Sequence, residues 1–211
     1  MLQFDQGGFA MVTVIAPGCH TPDLTDGFLL GLPKHPAVMW IPPQQSYWPA
    51  YSPQHLCWFL QQCLEDHPVA NPPPPRPPLL LIGFSAGVVA SMGAIRWWQS
   101  QGGEVKACIA VDGWGVPLGG GFPIHRLSHD RWTHFSSHLL GGTDVSFYAN
   151  PGVDHLELWR SPQTTMGIST TVPNLRGNPL LPTSDPTVDK PITAAQFIHR
   201  LLQWYGEVPE P

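Results

Sequence analysis

Charged side chains are scarce in this sequence of 211 residues, in which Asp, Glu, Lys and Arg together make up 12%. The ten Lys and Arg residues form no cluster, and the formal net charge is −5. Because nucleic-acid backbones are bound by clustered cations, we expect no nucleic-acid partner. The hydrophobic residues, at 42%, suffice for a buried core and argue against a disordered or fibrous chain.

Long apolar runs are also absent, and none approaches the roughly 20 residues that a helix needs to span a bilayer. The first residues lack the basic and apolar segments of a secretory signal. The four cysteines include no C-x-x-C pair and no cysteine–histidine spacing typical of zinc sites. We therefore expect a cytoplasmic protein with reduced cysteines, no metal and no integral membrane association.

Proline, by contrast, is abundant at 26 residues, and it is concentrated outside the apolar runs. Residues 68–78, PVANPPPPRPP, form a proline-rich connector, which we interpret as a stiff, extended link between a helix and a strand. The alternative is a PxxP ligand for an SH3-like domain. Because the apolar pattern of the same sheet continues on both sides of the connector, we treat residues 1–211 as a single domain.

Short apolar runs alternate along the chain with longer segments of helical periodicity. This alternation is typical of an α/β domain, in which a mainly parallel sheet carries helices on both faces. We expect a sheet of about five or six strands, and we predict five of them at residues 9–16, 37–41, 79–83, 105–111 and 144–149.

The predicted helices begin at capping signals or carry apolar residues three and four positions apart. We place them from about residue 21, at 52–67, at 88–101, at 130–140, from about residue 155, and at 193–205. Residues 160–191 are rich in Pro, Thr, Asn and Gly and are predicted to form a long loop.

The sequence Gly83-Phe84-Ser85-Ala86-Gly87 matches the pattern G-x-S-x-G between a predicted strand and a predicted helix. In that setting the pattern forms a sharp turn that exposes a nucleophilic serine. The serine takes a strained conformation, and small residues on either side avoid clashes with neighbouring chain. We predict that Ser85 is a nucleophile, with an ordinary glycine-rich turn as the alternative.

A nucleophilic serine requires a base and a carboxylate that orients the base. His155 follows the last predicted strand and is the leading candidate for the base, with a helix-capping or surface histidine as the alternative. Asp112 ends the fourth predicted strand, at the sheet edge where active sites assemble, and is the candidate acid; an Asp-Gly turn is its alternative. Asp144 is predicted to begin a strand and Asp154 to cap a helix, so both are weaker candidates.

The chain order Ser85, Asp112, His155, each after a successive predicted strand, resembles the α/β-hydrolase superfamily. The sequence is most similar to the small, lidless esterases and lipases of that superfamily and to some uncharacterised cyanobacterial hydrolase-like proteins, over about residues 9–205. In the family the acid usually follows the strand after next, and in some lipases it follows the strand immediately after the nucleophile's. The resemblance implies a three-layer α/β-hydrolase fold and hydrolysis of ester bonds through Ser85.

The same resemblance implies the groups that would hold an oxyanion. The backbone N–H of Ala86, directly after the nucleophile, would be the first donor. The second would come from the loop after the first strand, which points to Cys19. In that loop the usual His-Gly pair of the family is replaced by Pro17-Gly18.

Aromatic residues follow two of the predicted strands and are candidates for an apolar substrate pocket or for core packing. They are Tyr47, Trp48, Tyr51 and Trp114. With few charges nearby, we expect an ester of an apolar small molecule or lipid as the substrate and no cofactor. A thioesterase or acyltransferase would use the same triad, and a non-catalytic scaffold that binds a partner or lipid is the alternative of a different class.

A histidine-rich segment lies between the fourth and fifth predicted strands. His129, His134 and His138 lie there with Asp130, and His134 and His138 are four residues apart. The glutamate of a zinc-protease motif is absent. We therefore predict a solvated or loosely packed helix rather than a metal site.

Overall fold

The computed structural model describes residues 10–44, 48–65, 76–141, 145–171 and 191–208. These residues form eight strands, namely β1 Val12–Ala16, β2 Met39–Trp40, β3 Leu79–Phe84, β4 Val105–Val111, β5 Ile124–Ser128, β6 Val145–Ala149, β7 Met166–Thr171 and β8 Ile192–Thr193. They also form six α-helices, namely α1 Pro22–Gly31, α2 Pro53–Glu65, α3 Ala86–Ser100, α4 Arg131–Ser137, α5 His155–Arg160 and α6 Ala194–Trp204, and a 3-10 turn at His138–Leu140.

The eight strands belong to one sheet in the order β2-β1-β3-β4-β5-β6-β7-β8. The strands from β2 to β6 are parallel, whereas β7 pairs antiparallel with β6 and β8 antiparallel with β7. The prediction of an α/β domain with a mainly parallel sheet is therefore confirmed. The predicted number of five or six strands was wrong, because β5, β7 and β8 were missed.

Helices cover both faces of the sheet because the buried side chains of its central strands alternate between two cores. On β3, Leu80, Ile82 and Phe84 point into a core shared with α1, α5 and α6. Leu79 and Leu81 point into the opposite core, shared with α2 and α3. Both faces of a parallel strand are thereby removed from water, which is why the strand is apolar throughout.

Strand β5 was missed because its sequence, IHRLS, is mostly polar, yet all five residues are buried. The polar side chains have partners inside the protein. The ring of His125 lies 3.1 Å from the carbonyl oxygen of Val145 and 2.8 Å from the hydroxyl of Tyr205, and Arg126 donates to two backbone carbonyls. Burial of polar groups is tolerated where such hydrogen bonds replace those to water.

The predicted loop at 160–191 was also partly wrong. Residues 166–171 form β7, which extends the sheet beyond β6. Residues 172–190 lie outside the described residues, as do residues 66–75 of the chain around the proline-rich connector. Among the described residues, none of the helices combines the length and the apolar character needed to cross a membrane.

A stack of aromatic rings joins β3 to the helices on one face. The ring of Trp159 on α5 lies 3.7 Å from that of Phe28 on α1 and 4.8 Å from that of Phe84, and it is nearly parallel to both. The ring of His155 lies on Phe84 at 4.9 Å. We call Phe28, Trp159 and Phe84 the aromatic column. It fixes the six-residue helix α5, which is too short to be stable alone, and with it the position of His155.

Replacement of Trp159 by alanine should therefore destabilise the whole domain. Trp159 is completely buried, and loss of a buried indole typically costs about 3–5 kcal/mol in the free energy of unfolding. Trp132→Ala is the matched control, because that side chain is 77% exposed and its loss should cost less than about 0.5 kcal/mol. Urea unfolding followed by circular dichroism measures both. An equal decrease in the free energy of unfolding for both variants would show that the aromatic column does not stabilise the domain.

Candidate active site

The turn between β3 and α3 is strained at Ser85, whose φ is 52° and ψ is −119°. A non-glycine residue rarely adopts positive φ, and such residues cluster at functional sites. The amide of Ser85 donates to the carbonyl of Val111 at 2.9 Å, and the amide of Val88 donates to the carbonyl of Ser85 at 3.1 Å. The turn is thus anchored to both β4 and α3, and its serine is held at the end of the strand.

Glycine at 87 permits the close approach of α3 to β1. A Cβ atom at Gly87 would lie 2.1 Å from the carbonyl oxygen of Ala16 and 2.7 Å from that of Pro17. At Gly83 a Cβ would lie 2.8 Å from the hydroxyl of Ser91. These contacts explain the two outer glycines of the G-x-S-x-G pattern by packing alone.

The structure brings Ser85, His155 and Asp112 together. His155 Nε2 lies 3.0 Å from Ser85 Oγ, and His155 Nδ1 lies 2.5 Å from a carboxylate oxygen of Asp112. If His155 Nδ1–H donates to the carboxylate, Nε2 of the neutral ring is free to accept the serine proton. The three residues were predicted to follow successive strands, but β5 lies between Asp112 and His155, so that His155 follows the third strand after the nucleophile's.

Asp112 is the most enclosed of the three side chains, with none of its side-chain surface exposed. Its backbone also has positive φ, 53°, and its amide donates to the carbonyl of Leu127 at 2.7 Å. Burial alone would raise the pKa of Asp112, but the hydrogen bonds from His129 and His155 outweigh it and hold that pKa below its ordinary value. Asp112 is therefore ionised at neutral pH.

His129 was named in the sequence analysis only as part of the histidine-rich segment, yet the structure places it beside Asp112. Its Nδ1 lies 2.9 and 2.7 Å from the two carboxylate oxygens of Asp112, and its backbone amide donates to the same carboxylate at 3.2 Å. His129 directly follows β5, so recognition of that strand would have placed it at the same sheet edge as Asp112. The hydrogen bond to Asp112 raises the pKa of His129 despite partial burial, with the negative charges of Asp112, Asp130 and Asp154 adding to the effect.

Asp112, His129 and His155 also have the composition of a metal site, and their ligand atoms all lie within 4.8 Å of one another. The nitrogen-to-oxygen distances, however, are 2.5–2.9 Å. Ligands of a tetrahedral zinc ion with bonds of about 2.0–2.1 Å lie about 3.3 Å apart. The distances between the histidine nitrogens and the Asp112 oxygens therefore fit hydrogen bonds and are too short for ligands of one zinc ion.

The rest of the histidine-rich segment is arranged differently from the prediction. His134 on α4 is buried, with Nε2 3.5 Å from Thr170 Oγ1. Thr133 and Ser137 are buried beside it, so the expectation of a solvated or loosely packed helix was wrong for this face of α4. The side chain of His138 lies outside the described residues.

The loop after β1 lies against the serine turn. A Cβ atom at Gly18 would lie 3.1 Å from Ser85 Cβ and 2.9 Å from the carbonyl oxygen of Phe84. Cys19, the next residue, is exposed. Ala86 begins α3, where backbone amides of the first turn have no acceptor within the helix. Cys19 and Ala86 therefore belong to two chain segments that meet beside Ser85.

A cavity of about 370 Å³ has this loop as one wall. Its described lining includes five proline residues and no Asp, Glu, Lys or Arg, and Pro17, Cys19, Trp48, Leu56 and Ala90 form part of it. Among the predicted pocket aromatics, only Trp48 lies in this lining. Tyr51 and Trp114 are 56% and 67% exposed and line neither this cavity nor the core, and Tyr47 lies outside the described residues.

Asp154, a weaker candidate for the acid, precedes α5 as its N-cap residue. It occupies the predicted N-cap position, but its side chain accepts no capping hydrogen bond, and the carboxylate hydrogen-bonded to His155 is that of Asp112. Asp144 lies outside the described residues.

Gly87→Ala should destabilise the protein, because its new methyl group would collide with two backbone carbonyls that cannot rotate away. Overpacking of this kind typically costs about 1–3 kcal/mol in the free energy of unfolding. Gly121→Ala is the control, since nothing lies within 4 Å of a Cβ at that position. Thermal unfolding of the two variants tests the contact, and an unchanged midpoint for Gly87→Ala would contradict it.

Comparison of the whole sequence with protein-family models gives no match, and comparison with curated proteins finds none that is significantly similar.

Proposed function

We propose that this protein is a serine hydrolase of the α/β-hydrolase superfamily that cleaves carboxylic esters of apolar molecules. The observation that carries the proposal is the hydrogen-bonded series from Ser85 Oγ through His155 to the buried carboxylate of Asp112. These are the geometry and roles by which a catalytic triad is recognised. The strained φ of Ser85 adds support, since a structural turn of this kind would favour glycine.

In the proposed reaction, Ser85 Oγ attacks the carbonyl carbon of the ester while its proton moves to His155 Nε2. The bond to the alcohol then breaks, and His155 returns that proton to the leaving oxygen. Water attacks the acyl-enzyme, again giving a proton to His155, and the bond to Ser85 Oγ breaks. The products are the carboxylic acid and the alcohol, and the proton returns to Ser85.

Two charges develop during these steps, and each has a candidate partner. The oxyanion formed from the carbonyl oxygen would be held by the backbone N–H groups of Ala86 and Cys19, which belong to the two chain segments that meet beside the serine. The imidazolium of His155 would be stabilised by Asp112, which is ionised and inaccessible to water. The Asp112 carboxylate is held by its hydrogen bonds before substrate binds.

The composition of the cavity favours an apolar, uncharged group on the substrate. The cavity lies beside the serine turn and is not lined by Ser85 or His155 themselves. Its wall at Pro17 and Cys19 belongs to the loop that contacts Ser85, and Trp48, Leu56 and Ala90 form apolar parts of its surface. A cavity of this size suits a small apolar acyl or alcohol group. A charged peptide would lose its hydration there and gain no ion pair in return.

Hydrolysis is favoured over acyl transfer by the exposure of the base. The side chain of His155 is 42% exposed, so water reaches the group that must activate it. A thioester would be cleaved by the same steps. The four cysteines are free thiols, in keeping with work in a reducing compartment such as the cytoplasm.

A fluorophosphonate probe tests the proposal directly, because only an activated serine is labelled rapidly. We expect the wild-type protein to be labelled at Ser85 and Ser85→Ala to lose all labelling and esterase activity while remaining folded. Ser100→Ala, at the exposed end of the same helix, should label like the wild type. Labelling at another serine, or none in the wild type, would favour the non-catalytic scaffold.

The apolar cavity predicts a preference among substrates. Short- and medium-chain p-nitrophenyl esters should be hydrolysed, and charged peptides should not. Trp48→Ala removes part of the wall and should lower kcat/KM for a hexanoate ester about tenfold more than for acetate, as expected for about 1.4 kcal/mol of lost apolar contact. Trp132→Ala, outside the cavity, is the control. Peptidase activity comparable to esterase activity would contradict this substrate class.

A further inference from the structure

We propose that His129 is a positioning residue for Asp112 and that, by taking up a proton, His129 weakens His155 as a base. The expected effect of His129 on activity rests on the proposed function. The expected effect of His129 on proton uptake by His155 rests on the structure alone. The strength of His155 as a base would then depend on the charge of His129, because both rings are hydrogen-bonded to Asp112.

The contacts of Asp112 show that His129 is its principal partner. His129 places its ring nitrogen within 2.9 Å of both carboxylate oxygens and adds a backbone N–H at 3.2 Å, whereas His155 reaches one oxygen. A carboxylate held from several sides cannot rotate about its Cβ–Cγ bond without losing hydrogen bonds. His129 thereby fixes the oxygen that receives His155 Nδ1–H.

His129 is itself held by the segment that leads to the base. The amide of Val153 donates to the carbonyl of His129 at 2.9 Å, two residues before His155. The rings of His129 and His155 lie edge to face with centroids 6.0 Å apart. A charge on one ring therefore acts on the other both directly and through the shared carboxylate.

The charged groups around His129 come from three chain segments. Asp112 follows β4, Asp130 is the next residue of its own segment, and Asp154 and His155 lie at the start of α5. Glu157 lies on the same surface depression. The carboxylates of Asp112, Asp130 and Asp154 thus favour a proton on His129, whereas its partial burial opposes one.

A proton can reach His129 from solvent. Its side chain is 25% exposed, and Nε2 lies 3.6 Å from the carboxylate of Asp130, which is itself 36% exposed. The ring donates Nδ1–H to Asp112 in both ionisation states, so protonation at Nε2 changes its charge and keeps the hydrogen bond. The fold can therefore stay the same while the charge beside Asp112 changes.

The sign of the effect follows from the shared carboxylate. With His129 neutral, the full negative charge of Asp112 stabilises the imidazolium that His155 forms during reaction. With His129 protonated, that negative charge is already compensated, and the two cations repel each other. His155 then binds a proton less strongly and is a weaker general base. The raised pKa of His129 means that this loss begins at a higher pH than an unperturbed histidine would give.

The pH dependence of kcat/KM tests this coupling. We expect two ionisations on the acid side of the wild-type profile and one in His129→Gln, which removes the titrating group but keeps an amide that can donate to Asp112. The ratio of His129→Gln to wild-type activity should therefore rise as pH falls. His129→Ala, whose side chain lacks any donor, should be slower than His129→Gln by on the order of tenfold at every pH, because Asp112 is less well positioned.

His35→Gln is the matched control, since His35 is exposed and its ring contacts only the carbonyl of Leu29 among the contacts described. Its profile should match that of the wild type. A His129→Gln profile that retains both ionisations, or a ratio independent of pH, would overturn the proposal. Fluorophosphonate labelling of Ser85 in the same samples shows whether the proposed hydrolase function holds independently.

A second measurement needs no activity. NMR titration of the histidine rings should show His155 taking up its proton at higher pH in His129→Gln than in the wild type, because the neighbouring cation is gone. An unchanged titration of His155 would refute the coupling, even if the protein proved to be a scaffold. A folded His129→Gln protein is confirmed by its thermal unfolding midpoint.

Discussion

The constraint on which the site depends is the burial of one negative charge, the carboxylate of Asp112. An isolated buried carboxylate costs several kcal/mol, so it requires hydrogen-bond donors that the protein must hold in place. Here the donors come from the ends of different elements: His129 after β5 and His155 at the start of α5. The need to satisfy Asp112 thus ties three segments of the chain to one point at the edge of the sheet.

The sheet and the aromatic column supply the precision that this arrangement needs. Parallel pairing of β3, β4, β5 and β6 brings their carboxyl ends to one edge, where α/β proteins commonly place their sites. The column then sets the position of α5 relative to β3, with Phe84 directly before Ser85 and Trp159 one turn after His155. The same packing that buries apolar surface therefore sets the distance from Ser85 to His155.

The sequence predicted the elements correctly where the local pattern of apolar residues matches the burial of the side chains in the fold. The apolar run at 105–111 coincides with β4, and the glycines around Ser85 predicted the sharp turn before α3. The sequence did not predict elements that form only through contacts with residues far away in the chain. IHRLS becomes a buried strand only because His125 and Arg126 find hydrogen bonds elsewhere in the fold, and MGISTT becomes β7 by pairing with β6. The position of His129 beside Asp112 was missed with strand β5, since a histidine after an unrecognised strand carries no positional signal.

The positive φ angles of Ser85 and Asp112 have an evolutionary consequence. Each angle is held at a cost on the order of 1–3 kcal/mol for a residue with a side chain. Glycine adopts the same backbone conformation without that steric cost. Under selection for stability alone, mutation would therefore favour glycine at both positions, and a lineage that no longer used the site would lose the side chains of Ser85 and Asp112 before the turns that carry them.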